Sequence, residues 1–177
     1  MKNSILSIAV FVITLISSLQ LTAQEFKSLD KSPMDMAAFP NSYKISDKIV
    51  KVTYSRPQLK GRDLVKLAPP EKVWRTGANE AAEITFYKDV IFGGKALKAG
   101  TYSLFTIPSL DGDWTVIINR AKNVWGSYYY KQDQDVIRVS GKTSKANKNI
   151  EAFSMMFDQD MTLKMGWGNT VISVPIN

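Results

Sequence analysis

The feature that most constrains the fold is a series of short β-type segments separated by turn signals. Apolar and polar residues alternate with a period of two over residues 49–54, 152–157 and 161–167. Gly93-Gly94 and Asp111-Gly112-Asp113 are typical of hairpin turns. No segment after the first 23 residues carries a helical period over eleven or more residues. The pattern predicts one all-β domain, an antiparallel β-sandwich of jelly-roll-like type.

The positions of the strands can be predicted from the same alternation. Pro57 ends the first clear strand, and residues 58–67 are expected to form a loop or one short helical turn. Two polar stretches are expected to interrupt the last strands, a loop at Lys142–Asn149 and a turn at Gly168-Asn169. The predicted strands cover 49–54, 83–87, 89–92, 101–107, 114–119, 136–139, 152–157, 161–167 and 171–176.

The first residues have the order of a secretory signal peptide. Lys2 is followed by an apolar run from Ile5 to Leu21 and then by the small residue Ala23. We expect cleavage near Ala23; the alternative is an uncleaved membrane anchor, for which the run is only just long enough. The chain is thus divided into a signal peptide at 1–23, a flexible lead-in at 24–41 and the β-domain at 42–177.

Two residue types are absent from the sequence, and their absence limits the chemistry. Without cysteine, there are no disulfides and no lipid-modified cysteine, so the core alone must stabilise an exported domain. Without histidine, Ser-His-Asp and Cys-His catalysis are excluded and a zinc site is not expected. We therefore predict no metal and no cofactor.

The net charge is positive but evenly spread. Residues 1–23 hold one lysine and no acid, so their removal lowers the formal net charge from +7 to +6. Such a charge is compatible with an anionic partner, an acidic polysaccharide or a membrane surface. No block of five like charges occurs, which favours an ordinary basic surface. Export argues against a nucleic acid partner, and the oligomeric state is left open.

The densest group of polar and aromatic residues is the segment Val73–Glu80. Trp74 and Arg75 are adjacent, so in an extended backbone one side chain enters the core and the other faces outward. Gly77 is expected to form a turn that lets Asn79 and Glu80 bond back to Arg75. A structural role for these groups and a role in ligand binding are both compatible with the pattern.

The ligand-binding alternative rests on the chemistry of the side chains. A guanidinium donates a planar fork of hydrogen bonds, an amide donates and accepts, and a carboxylate accepts from hydroxyls. These groups fit a polar small molecule or a glycan. The predicted ligand-binding residues are Arg56, Arg62, Trp74, Arg75, Asn79, Glu80 and Trp125. Arg56 and Arg62 are included because they lie in the preceding loop, where they would enlarge a positive pocket.

A second aromatic group follows further along the chain, from Trp125 to Tyr130. Exposed aromatic rings at one end of a β-domain form a stacking platform for sugars. The alternative, which the sequence favours, is a hydrophobic lid over the domain whose tyrosine hydroxyls reach water.

Acidic residues are the remaining candidates for catalysis. Glu80 and Glu83 are three residues apart at the start of a predicted strand, so their side chains are expected on opposite faces. Asp133 and Asp135 share a face but lie in a turn, where acids are usually solvated. A histidine-free hydrolase or lyase would use Glu80 as acid or base and Arg75 to position an anion. A Glu80–Arg75 ion pair would keep the carboxylate charged and make it unsuitable as a general acid.

Several of these motifs together resemble the DUF2911 family. They are residues 54–58, 60–62, 73–81, 99–105 and 125–126, and the resemblance covers about residues 32–177. The resemblance implies a β-rich exported protein of the kind found in Bacteroidetes-type bacteria, and it brings no activity, cofactor or catalytic residue. Because the last predicted strand ends next to Asn177, with no sorting domain after it, we expect the periplasm rather than the cell surface.

Overall fold

The computed structural model describes residues 25–177, so the predicted signal peptide lies outside the described part. Within this part, no helix is long and apolar enough to cross a membrane. The elements are nine strands, one short helix and one 3-10 turn at Gln132–Gln134. They are β1 (Met34–Phe39), β2 (Val50–Ser55), α1 (Leu64–Leu67), β3 (Ala82–Phe86), β4 (Val90–Phe92), β5 (Lys95–Leu97), β6 (Gly100–Ile107), β7 (Trp114–Asn119), β8 (Asp135–Phe157) and β9 (Leu163–Val174).

Seven strands form one antiparallel sheet in the order β1-β2-β3-β6-β7-β8-β9. The order follows the chain except for the hairpin β4–β5, which pairs separately, as Gly93-Gly94 predicted. Phe92 of that hairpin forms a bridge with Ile176, which ties the end of the chain to it. The sheet is strongly curled, and the all-β antiparallel fold class is confirmed.

The last two strands are longer and less interrupted than the sequence indicated. The predicted loop at Lys142–Asn149 is wrong, because these residues belong to the 23-residue strand β8. The predicted turn at Gly168-Asn169 is also wrong: Gly168 lies inside β9, opposite Ile150, where the register shifts. Gly168 has φ +60°, so a β-bulge and not a chain reversal explains the glycine.

The lead-in prediction for residues 24–41 also needs correction. Met34–Phe39 forms β1 and pairs along its whole length with β2. Met34 and Met36 are exposed, so the strand lacks the clear apolar alternation of a half-buried one. The β-domain therefore starts at Met34, eight residues before the predicted boundary.

Polar groups join the two ends of the curled sheet along a seam. Gln58 forms an antiparallel bridge with Ala152 of β8. The Arg56 guanidinium donates to the Phe153 carbonyl at 3.0 Å, to Ser154 Oγ at 2.7 Å and to Asp35 Oδ2 at 3.1 Å. One arginine thereby links β1, the end of β2 and β8.

The curled sheet encloses the main core and carries a smaller cluster on its outer face. Trp74 lies at the centre of the main core, with its ring stacked on Trp167 at 5.3 Å between centroids. Trp114 and Phe153 pack edge-on against Trp74. The outer cluster consists of Ala81, Phe105 and Ile117, against which Val73, Ile107, Val124 and Tyr130 pack.

Candidate functional site

The segment Val73–Glu80 is held in place by backbone hydrogen bonds from three sides. Trp74 exchanges both backbone hydrogen bonds with Thr106 of β6, at 2.7 and 3.0 Å. The Arg75 carbonyl accepts from the N–H of Ala82 at the start of β3, and the Asn79 carbonyl accepts from the N–H of Gly126. The side chains of this segment are therefore presented from a fixed backbone.

The turn in this segment is built differently from the prediction. Left-handed backbone occurs at Thr76 (φ +53°) and Asn79 (φ +60°), and not at Gly77. Gly77 is required for a different reason, since a Cβ there would lie 3.1 Å from the Ser55 carbonyl oxygen. Thr76 is β-branched and fully buried, so its left-handed conformation stores about 1–3 kcal/mol of strain. Strain of this kind is commonest at functional sites.

Trp74 takes the inward of the two orientations that the sequence left open. Its side chain is 5 % exposed and is surrounded by aromatic rings of the main core. Its ring therefore supports the fold from inside and has almost no surface for a ligand.

Arg75 follows Trp74 and, by the alternation of extended backbone, projects from the outer face. Its Nε is buried and has no hydrogen-bond partner. Within residues 25–177, Arg75 forms neither a side-chain hydrogen bond nor an ion pair with Glu80, so the predicted pairing is wrong. Glu80 is exposed and instead lies opposite Trp125 in an antiparallel bridge. The left-handed Asn79 redirects the chain before Glu80 and separates the two charges.

A small cavity opens on the outer face beside Glu80. It has a volume of about 260 Å³, and we call it the Glu80 cavity; its lining residues are Met34, Thr53, Glu80, Ala81, Glu83 and Asn123. The prediction that Glu80 and Glu83 point to opposite faces is wrong, because β3 begins only at Ala82 and the alternation does not extend back to Glu80. Glu83 Oε1 accepts a hydrogen bond of 2.7 Å from the N–H of Asn123.

The second aromatic group divides into an inner and an outer part. Tyr130 packs edge-on against Phe105 and covers the outer cluster, as the lid interpretation expects. Trp125, Tyr128 and Tyr129 are exposed, Trp125 to 57 %. Because residues opposed in an antiparallel bridge project from the same face, Trp125 and Glu80 are neighbours on one face.

Tyr130 also belongs to a polar network. Its hydroxyl donates to Asp135 Oδ2 at 2.6 Å and accepts from Arg138 at 2.7 Å, and Asn119 donates to the other oxygen of Asp135. Burial and then the Asp135 hydrogen bond raise the pKa of Tyr130, although Arg138 opposes the rise. The phenol is kept neutral, and Asp135 is a structural acceptor.

The remaining predicted site residues lie apart from the Glu80 cavity. Arg56 is engaged in the seam. Arg62 donates to the carbonyls of Leu59 and Gln58, and it lines a separate cavity of about 550 Å³ with Lys31 and Lys60. Asn79 faces another cavity, formed with residues 27–32. In residues 25–177 no three acidic side chains are grouped to hold a metal ion.

The structure thus brings together Glu80 and Trp125, with Arg75 on the same face of the sheet. It adds Glu83 and Asn123, which the sequence analysis did not place in the site. Glu83 could have been found from the left-handed tendency of Asn79 just before the strand. No sequence signal pointed to Asn123, whose position depends on the long-range contact with β3.

Residues 32–176 match the profile of a family described as proteins of unknown function, DUF2911. The chain belongs to the DUF2911 family. The match confirms the resemblance drawn from residues 54–126 and includes every residue of the Glu80 cavity. The family begins at residue 32, in agreement with the inclusion of β1 in the domain. Comparisons with curated proteins and with solved structures give no significant match.

Proposed function

We propose that this DUF2911 protein is exported and binds a hydroxylated ligand, a glycan, at the Glu80 cavity. The observation that carries the proposal is the exposed Trp125 opposite Glu80 in an antiparallel bridge, with Glu80 and Glu83 lining one cavity. The site lies at the outer end of the segment Val73–Glu80. In the proposed site, Trp125 and not the buried Trp74 is the aromatic residue that stacks on the ligand.

The side chains match the two kinds of surface on a sugar. The faces of a sugar ring carry C–H groups that stack on an aromatic ring, and its edges carry hydroxyls. The carboxylates of Glu80 and Glu83 accept hydrogen bonds from such hydroxyls, and the amide of Asn123 both donates and accepts. At about 260 Å³, the cavity lies below the roughly 300–1,000 Å³ of sites for drug-sized ligands, which favours one sugar ring.

The signal-peptide-like leader supports a location in the periplasm, where glycans of the envelope and the medium are encountered. After cleavage, the mature protein is expected to begin near Gln24. Intact-mass measurement of the protein purified from its host tests this part separately. A mass that still includes residues 1–23 would contradict cleavage.

The test of binding is a glycan-array screen of the chain from Gln24, followed by calorimetric titration of the best saccharide. Trp125→Ala and Glu80→Gln are expected to abolish binding while the melting temperature stays unchanged. Tyr43→Ala is the matched control, because Tyr43 is a 91 % exposed aromatic residue beyond the opposite end of β1. Binding that survives both site variants, or is lost equally in the control, would contradict the proposal.

One observation favours a second candidate function, a histidine-free hydrolase. Glu80 and Glu83 line the same cavity, and glycoside hydrolysis requires two carboxyl groups that flank the bond to be cleaved. The test is the release of nitrophenol from a panel of nitrophenyl glycosides. Turnover by the wild-type chain that is lost in both Glu80→Gln and Glu83→Gln would establish the enzyme. Binding without turnover would indicate a binding protein. The absence of both binding and turnover would indicate a structural module.

A further inference from the structure

Arg75 Nε is a buried side-chain donor without a hydrogen-bond partner, and no second such atom occurs in residues 25–177. Buried polar groups in native proteins are nearly always paired, so each exception requires an explanation. An arginine cannot avoid the cost by losing its proton, because the delocalised guanidinium keeps its charge in proteins. Arg75 is partly exposed, and its buried Nε lacks a partner, since the described part of the chain does not supply one.

The other arginines with described hydrogen bonds show that the fold can satisfy a guanidinium where it needs to. Arg56 has three partners, Arg62 has two backbone carbonyls, and Arg138 binds Asp135 and Tyr130. The Arg75 side chain has no such contact among the described residues, although its backbone carbonyl accepts from the N–H of Ala82. Among the arginines of residues 25–177, Arg75 is the one with a buried side-chain nitrogen that lacks a partner.

The backbone register places Arg75 next to the proposed site. Trp74 pairs with Thr106, and the residue before Thr106 is Phe105, which faces outward. Arg75 follows Trp74 in the chain and therefore lies next to Phe105, with its side chain on the outer face. Ala81 belongs both to the outer cluster around Phe105 and to the wall of the Glu80 cavity. The Arg75 carbonyl also accepts from the N–H of Ala82, the residue after Ala81, so Arg75 lies one residue pair away from the wall of the cavity. The apolar cluster beneath Arg75 lowers the local dielectric and strengthens its attraction for an anion.

We propose that Arg75 binds an anionic group of the ligand, and that the glycan is an acidic saccharide with a single carboxylate or phosphate. This inference rests on the proposed function and names its substrate class. A guanidinium binds both oxyanions through two parallel N–H donors. Glu80 and Glu83 repel anions, so the charged group lies at the Arg75 end and the neutral hydroxyls lie at the carboxylates. A uronic acid and a sugar phosphate both have this division.

The test compares saccharides that differ only in charge. Glucuronate- and glucose-1-phosphate-type probes and their neutral glucose counterparts are titrated against the chain from Gln24, and the Arg75 Nε–H signal is followed by NMR. We expect at least roughly tenfold tighter binding of the acidic forms, since a charged hydrogen bond contributes that much. Arg75→Gln should remove the discrimination and keep the folded spectrum, and Arg75→Lys should restore part of it. The stronger of the two acidic probes identifies the anion.

Each alternative result is informative. Equal binding of the neutral and acidic forms overturns the role of Arg75 and leaves the proposed function intact. If no saccharide binds but acetate or phosphate shifts the Arg75 Nε–H signal, the glycan proposal fails and the anion site stands. If no probe shifts that signal, the inference is overturned. Loss of discrimination through unfolding would appear in the spectrum of Arg75→Gln, and the Arg75→Lys comparison then decides.

Discussion

Arg56 and Arg75 lie on the same curled sheet, but their guanidinium groups have opposite surroundings. Arg56 bonds Asp35, the Phe153 carbonyl and Ser154, and so joins strands from both ends of the sheet. Arg75 has a buried Nε without a partner. At the seam the polar groups complete the fold, whereas at the segment Val73–Glu80 they are left available. We propose that this difference separates residues that hold the domain together from those that bind a ligand.

Tyr54 is a second residue of the seam whose polar group is used in hydrogen bonds within the fold. Its hydroxyl accepts from the N–H of Met155 at 2.7 Å and lies near the carboxylate of Asp35. A buried backbone amide that no strand partner reaches is thereby satisfied by a side chain. In contrast, the carboxylate of Glu80 and the indole of Trp125 are exposed beside each other.

The largest expected effect on stability comes from replacing the buried Trp74, in contrast to the exposed Trp125. Trp74→Ala should lower the free energy of unfolding by about 3–5 kcal/mol, because it leaves a cavity among Trp114, Phe153 and Trp167. Trp125→Ala should change it by less than about 0.5 kcal/mol, as expected for an exposed side chain. Urea denaturation followed by circular dichroism measures both. A Trp125 variant as unstable as the Trp74 variant would assign both rings to the core.

A smaller effect is expected when Tyr54 is replaced by phenylalanine. The Met155 N–H then loses its partner in a buried position, which should cost about 1–3 kcal/mol. Thermal and urea unfolding at neutral pH provide the value. Stability equal to that of the wild type would show that the seam does not depend on this hydrogen bond.

The pH dependence of stability gives a second test of the buried Tyr54 hydroxyl. Burial is the main cause that raises its pKa above the ordinary value of 10.0. A raised pKa in the folded state means that stability is fully present below about pH 10 and is lost as the pH rises through the folded pKa. The alkaline loss should therefore be smaller in Tyr54→Phe than in the wild type. Parallel alkaline curves for the two proteins would contradict the shift.

The smallest effect is expected at Asn79. Its φ of +60° suits glycine, so Asn79→Gly should change stability by only a few tenths of a kcal/mol. Asn79→Ala should cost roughly 1 kcal/mol, because alanine tolerates left-handed backbone poorly. The comparison of melting temperatures between the two variants isolates the backbone. If Asn79→Ala is as stable as Asn79→Gly, the left-handed turn is not present in solution.

The sequence predicted the strands well wherever one face is buried. β2 and β3 follow the alternation closely, because their inward residues are apolar and their outward residues are mostly polar. β6 and β7 are rich in apolar residues on both faces, since Phe105 and Ile117 belong to the outer cluster. The alternation failed to predict the strand at Lys142–Asn149, because this part of β8 is mostly exposed and its polar residues have no burial pattern. It failed at Met34–Phe39 for the same reason, since this edge strand exposes its methionines.

The candidate site was predicted by composition but not by geometry. The segment Val73–Glu80 was selected for its mixture of side chains, and the alternation correctly separated Trp74 from Arg75. The left-handed conformations of Thr76 and Asn79 determine where Glu80 points, and although asparagine favours such a conformation, a β-branched threonine does not signal it. The contact with Asn123 joins residues 40 positions apart, which local patterns do not encode.

We propose that Arg56 stabilises the fold, whereas Arg75 binds a ligand. The most direct test is the free energy of unfolding of Arg56→Gln and Arg75→Gln, measured by urea denaturation without added ligand. Arg56→Gln should lose about 2–3 kcal/mol, since three hydrogen bonds disappear from a partly exposed site. Arg75→Gln should remain within about 0.5 kcal/mol of the wild type or exceed it, because the substitution removes a buried donor that has no partner. A loss in Arg75→Gln as large as that in Arg56→Gln would show that both arginines support the fold and would contradict the account.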